Sequence, residues 1–76
     1  MDNIFSKKIE EVLEIEVNML HKINQDGVFT LNDLLKKTEE ELKLLGLSKN
    51  NLKLLKEKLY LYNCKIGMLS KDYPVQ

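Results

Sequence analysis

The sequence contains no arginine, although it carries twelve basic residues, all of them lysines. A lysine ammonium neutralises a phosphate, but it lacks the planar guanidinium that reads base edges and narrow minor grooves. Twelve acidic residues balance the lysines, so the formal net charge is zero. No overall field therefore draws the chain to nucleic acid or to a membrane.

Cysteine and histidine occur once each, as Cys64 and His21. A single cysteine excludes an internal disulfide, and the two residues cannot form a zinc-ligand cluster. We expect no metal, no cofactor and a reduced, cytoplasmic location, with Cys64 packed among its apolar neighbours. No segment approaches the ~18 apolar residues of a membrane-spanning helix, and the start MDNIFSKK has no signal-peptide run.

The length of 76 residues predicts one small domain without room for a classical enzyme cleft. No catalytic constellation is present, because no motif places a nucleophile near His21, and Ser48 suits a helix N-cap better than a nucleophile. We therefore expect a monomeric protein that is not an enzyme.

Charge is unevenly distributed along the chain. Residues 1–30 hold six acids against three lysines, a balance of −3, and the remainder therefore carries +3. An acidic patch steers association with a basic partner, although a merely solvated helix face has the same composition. The candidate protein-contact residues are Glu10, Glu11, Glu14 and Glu16.

The clearest helical pattern covers residues 38–59, where two short amphipathic helices flank a tight hairpin at residues 45–48. Thr38 followed by Glu41 predicts a capping box, Gly46 a C-terminal cap and Ser48 a new N-cap. This arrangement is typical of a helix-hairpin-helix, which directs backbone N–H groups at an anion such as phosphate. The apolar stripe comprises Leu42, Leu44, Leu45, Leu52, Leu55 and Leu59.

The rest of the chain also has mostly helical patterns. We expect helices over residues 3–13 and 17–24, a short one that begins at the cap Thr30 with Asp33, and a left-handed cap at Asn63. Residues 13–17 alternate as a strand does, but without a partner strand they are helix or extended connection. Ile66, Met68, Leu69 and Tyr73 are spaced to pack back as an extended strap. The expected core comprises Val17, Leu20, Phe29, Leu34, Leu42, Leu52, Leu55 and Leu59, with Val28 inserted beside it.

Four segments together resemble the C-terminal domain of the bacterial RNA polymerase alpha subunit. They are LEIEV at 13–17, VFTLNDLLKKTEEEL at 28–42, GLSKNNLKLLKEKL at 46–59 and IGMLSKDYP at 66–74. The resemblance covers residues 12–75 with one deletion before the hairpin, and its most specific parts are Ile66-Gly67-Met68 and Asp72-Tyr73-Pro74. It implies a compact all-α domain of four to five helices at residues 13–76, preceded by a helical extension at residues 1–12.

Members of that family bind the minor groove of promoter DNA and also dock activators and sigma. In this chain Asn18 aligns with the family's key arginine, His21 with an asparagine one turn later, and Ser48 with a hairpin glycine. Lys49 keeps a family lysine, whereas a further lysine becomes Asn50. The DNA-contact candidates are Asn18, His21, Gly46, Ser48, Lys49, Asn51 and Lys53.

The resemblance therefore implies a framework that is kept while its DNA-reading residues have changed. We expect a stand-alone, non-catalytic module of transcription that contacts RNA polymerase, sigma or a regulator and touches DNA weakly. The alternatives are direct DNA binding through the helix-hairpin-helix, at promoters or non-specifically, and a purely structural helical domain.

Overall fold

The computed structural model describes residues 4–71 of the chain. This part contains five α-helices and no strands. The helices are α1 (Ile9–Val12), α2 (Val17–Asn24), α3 (Leu31–Leu35), α4 (Glu39–Leu44) and α5 (Lys49–Tyr60). A 3-10 turn at Ile4–Ser6 precedes them. The expected all-helical class is confirmed. Asp72, Tyr73 and Pro74, which belong to the expected strap and to the resemblance, lie outside the described residues.

The prediction of one helix over residues 3–13 is wrong. The chain is extended at Lys8, with φ −64° and ψ 148°, between the 3-10 turn and α1. There it pairs with the segment before α3, since Ile9 N–H donates to Phe29 O (2.9 Å) and Leu31 N–H donates to Lys7 O (3.0 Å). These bonds hold the N-terminal part against α3, and the proposed domain boundary at residue 12 stays a prediction.

An extended link joins α1 to α2. The sequence pattern of residues 13–17 left helix and extended connection open, and the second is correct. Leu13 and Glu16 both have extended backbone angles. Successive side chains of an extended segment point to opposite sides. Leu13 is buried and Ile15 half-buried, whereas Glu14 and Glu16 are exposed. The link therefore contributes apolar side chains to the core and carboxylates to the surface.

Each of the helices α3, α4 and α5 begins with a reciprocal capping box, in which two side chains satisfy two backbone N–H groups that have no intrahelical partner. The pairs are Thr30 with Asp33, Thr38 with Glu41, and Ser48 with Asn51. The N-caps were predicted, but the amide of Asn51 as the partner of Ser48 was not. The backbone N–H of Thr30 lowers the pKa of Asp33, and that of Thr38 lowers the pKa of Glu41.

Left-handed residues end α4 and the α5 segment, as predicted. Gly46 has φ +99° and Asn63 has φ +58°. After α4 the Leu47 N–H donates to Leu42 O (3.4 Å) and the Gly46 N–H to Lys43 O (3.0 Å), the two bonds of a Schellman motif. Leu47 is thereby returned to the core, where it is 5% exposed. The turn is short because Leu47, its last apolar residue before α5, already packs in the core.

One cluster of buried side chains holds the helices together. Its members are Ile9, Leu13, Met19, Ile23, Val28, Leu31, Leu34, Leu35, Leu42, Leu47, Leu52, Leu55, Leu59 and Cys64. Of the tail, Ile66 and Met68 pack against this cluster, and Leu69 N–H donates to Leu35 O (3.0 Å). The prediction that Cys64 packs in the core is confirmed, and burial raises the pKa of its thiol.

Three apolar residues that the sequence assigned to the interior are exposed instead: Val17 (80%), Phe29 (51%) and Leu44 (87%). Successive helical residues are 100° apart, so a residue two positions from a buried one points away from it. Val17 stands in this relation to buried Met19, and Leu44 to buried Leu42. Phe29 follows buried Val28 in non-helical chain, with its carbonyl bonded to Ile9. Leu20 lies at the edge of the core, half-buried.

No helix in residues 4–71 combines the length and the apolarity needed to cross a membrane.

Replacement of a fully buried leucine should destabilise this small domain strongly. Leu55 is 0% exposed, whereas Leu54 beside it on α5 is 41% exposed. We expect Leu55→Ala to lower the free energy of unfolding by about 2–5 kcal/mol and Leu54→Ala by at most about 1 kcal/mol. Urea titrations followed by far-UV circular dichroism measure both. Equal effects would contradict the assigned core.

The capping carboxylate of α3 should make stability depend on acid pH. The pKa of Asp33 is lowered in the folded chain, first by the backbone hydrogen bond from Thr30. Its contribution is therefore present above the unfolded pKa, near 4, and is lost as the pH falls through the lower folded pKa. In Asp33→Asn the amide oxygen still accepts that bond but does not titrate, so acid should reduce stability less. Glu40→Gln, outside the capping boxes, is the control, and identical pH profiles for the two variants would contradict the prediction.

Candidate nucleic-acid and protein interfaces

The C-terminal half of α2 lies against the turn between α4 and α5. Lys22 Nζ donates a hydrogen bond to Gly46 O (3.2 Å), and a Cβ placed on Gly46 would lie 3.7 Å from Lys22 Cδ. Asn18 is four residues before Lys22 on the same face of α2, and both are exposed. The structure thus packs α2 against the predicted hairpin through Lys22, on the helix face that also carries Asn18. Sequence reasoning missed Lys22, because only the tertiary contact with Gly46 distinguishes it.

The start of α5 retains two unused N–H groups. Ser48 Oγ accepts from Asn51 N (3.1 Å), and Asn51 Oδ1 accepts from Ser48 N (3.2 Å). These two candidates therefore already serve the cap. Among the hydrogen bonds of residues 4–71, none uses the backbone N–H of Lys49 or Asn50. An anion at this helix end would meet those two groups and the positive end of the helix dipole.

Lysines line the groove between α4 and α5, a space of about 390 Å³. Its lining comprises Glu39, Lys43, Lys49, Leu52, Lys53, Lys56 and Glu57, and we call it the α4–α5 groove. Lys56 is engaged, since its Nζ lies 2.7 Å from Glu39 Oε1 and this bond lowers the pKa of Glu39. Lys43, Lys49 and Lys53 form no ion pair within the described residues and are available to phosphates.

Sequence reasoning identified only part of this groove. Lys49, Lys53 and Lys56 repeat at i, i+4 and i+7, a spacing that predicts a common helix face. Lys43 lies on another helix and joins them only through the packing of α4 on α5. His21, the other α2 candidate, is exposed, and its Nε2 lies 3.2 Å from Gln25 Nε2.

The acidic candidates are exposed side chains within one short stretch of chain, residues 10–16. Glu10 and Glu11 are on α1, and Glu14 and Glu16 are on the following link. None of the four forms an ion pair with another described residue. Other acidic side chains do form ion pairs with lysines, as in the contact of Lys37 Nζ with Asp26 Oδ2 at 2.9 Å. Residues 10–16, which we call the acidic segment, therefore present four carboxylates without an ion-pair partner among the described residues.

An open hollow of about 310 Å³ lies between this acidic segment and the end of α5. We call it the α5-end hollow, and its lining comprises Val12, Leu13, Glu14, Lys58, Leu61 and Tyr62. Leu61 is 79% exposed, and Tyr60 next to it is 77% exposed. Tyr62 Oη donates to Val12 O (3.0 Å), which ties the two walls together. Sequence reasoning did not single out this apolar surface.

Within residues 4–71 no group of three or more histidine, cysteine, aspartate or glutamate side chains is placed to hold a metal ion. No model of a known protein family matches the chain, and a comparison with curated proteins finds no significant match. The resemblance to the RNA polymerase alpha domain therefore depends on the residue pattern alone.

Contact with DNA should be weak and sensitive to salt. Lysines and two N–H groups can bind phosphates, but the chain has no arginine to recognise the minor groove of DNA. We expect an A·T-rich duplex to bind with a Kd weaker than ~10 μM at physiological salt. Lys53→Gln should weaken binding and reduce the slope of log K against log salt by about 1, whereas Lys36→Gln, outside the groove, should not. Asn18→Arg should strengthen binding.

Fluorescence anisotropy over a series of salt concentrations measures these effects. Tight, sequence-selective binding by the unmodified chain would contradict the prediction and favour a DNA-reading protein.

Proposed function

We propose that the chain is a non-catalytic module of transcription, a cytoplasmic monomer that contacts RNA polymerase, sigma or a regulator protein, with DNA contact secondary. The resemblance to the alpha C-terminal domain supports the transcription setting. The observation that carries the choice of protein contact is the α5-end hollow, where exposed Leu61 and Tyr62 adjoin Glu14, whose carboxylate forms no ion pair within residues 4–71.

The surface of the hollow combines apolar and charged side chains, as protein interfaces do. Interface centres are enriched in aromatic and other large apolar side chains, and the rim is polar. Tyr60, Leu61 and Tyr62 are consecutive and remain substantially exposed, although a monomer that bound nothing would gain stability by covering them. Leu61 and Tyr62 line the hollow together with Glu14, which supports a contact that uses both chemistries.

Direct DNA binding is the second candidate, and the α4–α5 groove is the observation that favours it. Three lysines of the groove that form no ion pair with any described residue, together with the start of α5, can hold phosphates. The acidic segment would repel the backbone of a long duplex that reached it, and lysines alone read little sequence. The groove therefore supports non-specific contact better than recognition of a promoter sequence.

Affinity capture from a lysate of the host tests the protein-contact function. The tagged chain should retrieve RNA polymerase or a transcription regulator even after nuclease treatment. Glu14→Lys with Glu16→Lys should reduce recovery at low salt, and the effect should vanish near ~1 M salt, where screening shortens to ~3 Å. Glu40→Lys, an exposed reversal on α4, is the matched control.

If nuclease abolishes recovery while the reversals at Glu14 and Glu16 leave it unchanged, DNA is the bridge and the protein-contact function is wrong.

A further inference from the structure

We propose that the α5-end hollow binds a basic amphipathic segment of a partner protein, one that carries lysine or arginine beside leucine or aromatic anchors. The inference depends on the proposed protein-contact function and specifies the chemistry of the partner at that surface. It is supported by three features of the described residues: a hollow with defined walls, an exposed apolar anchor point and an excess of carboxylates on the chain segment that forms one wall.

The walls of the hollow are held in place by hydrogen bonds. One wall is the end of α5, where Tyr62 N–H donates to Leu59 O (2.9 Å) and Cys64 N–H donates to Leu59 O (2.9 Å). The other wall is the chain at Val12 and Leu13, and Tyr62 Oη bonds to Val12 O. A site that already exists in the free protein avoids part of the ordering cost of binding.

The apolar part of the surface lies at Leu61 and the Tyr62 ring. Leu61 is 79% exposed and Tyr62 is 42% exposed, and both line the hollow with Val12 and buried Leu13. A leucine or aromatic side chain of a partner would cover this surface and remove it from water. Burial of such an anchor in a small pocket is the usual source of affinity at an interface.

The charge around the hollow selects a basic partner. Glu14 is in the lining, and Glu16 lies on the same side of the extended link two residues later. Glu10 and Glu11 precede Val12 on α1, and none of these carboxylates is paired within the described residues. The lining itself holds one acid, Glu14, and one base, Lys58. The excess of negative charge therefore comes from the other glutamates of the adjoining segment, and a basic partner would meet it with opposite charge.

A synthetic peptide of leucine, lysine and alanine in an amphipathic helical pattern is the probe, and the same peptide with glutamate for lysine is its control. We expect the lysine peptide to bind and to shift amide NMR signals of residues 12–14 and 58–62. Leu61→Ser should weaken binding about tenfold or more, as removal of an interface anchor does. Leu44→Ser, an exposed leucine on α4 that does not line the hollow, should bind as the unmodified chain.

Circular dichroism melting of both serine variants verifies that they fold. Equal affinity for the two peptides, equal effects of the two variants, or NMR shifts confined to other parts of the chain would each overturn the inference. Self-association that sedimentation detects and that Leu61→Ser abolishes would assign the hollow to a second copy of the chain, which would also overturn it.

The capture experiment separates this inference from the proposed function. Recovery of RNA polymerase that Leu61→Ser leaves unchanged, with no peptide binding, would reject the basic segment and keep the function. Peptide binding at the hollow without recovery of any transcription protein would reject the proposed function and keep the chemistry of the hollow.

Discussion

The shortness of the helices is the constraint on which the rest of the structure depends. The longest helix, α5, has twelve residues, and α1 has four. Isolated helices of this length are marginal in water, because nucleation costs more than a few hydrogen bonds return. The helices must therefore be started by caps and held by the leucines they share. Both requirements are met, since α3, α4 and α5 carry reciprocal capping boxes and every helix contributes to one cluster.

This constraint explains which features could be predicted from the sequence. Caps are local, so Thr38 with Glu41, the N-cap Ser48 and the left-handed residues Gly46 and Asn63 were readable from neighbours in the chain. Helical spacing located the apolar face of α5, with buried Leu52, Leu55 and Leu59, for the same reason. The single predicted N-terminal helix failed because its break is imposed by pairing with the chain before α3, twenty residues away, as in the bond from Ile9 N–H to Phe29 O.

The candidate surfaces, too, were predictable where they depend on local sequence and not where they depend on tertiary contacts. Lys49 and Lys53 on α5 were candidates from the sequence. Lys43 and Lys22 join that region only through the packing of α4 on α5 and of α2 on the turn at Gly46. Val17 and Leu44 were wrongly assigned to the interior and are exposed. Both are apolar residues of amphipathic segments, and only the positions of the neighbouring elements decide which side of a helix is buried. The α5-end hollow also required the fold, since it unites Val12 with Leu61 and Tyr62.

The length of α5 lets one small domain carry surfaces of opposite charge. The unpaired lysines Lys49 and Lys53 occupy its first turns, and the α5-end hollow with Glu14 lies at its last. Twelve residues extend about 18 Å along the axis, roughly twice the screening length of about 8 Å at physiological salt. The carboxylates at one end therefore reduce the attraction of the lysines for phosphate only weakly at the other. The proposed contact with a basic protein segment would therefore leave weak contact with a nucleic acid possible on the same helix.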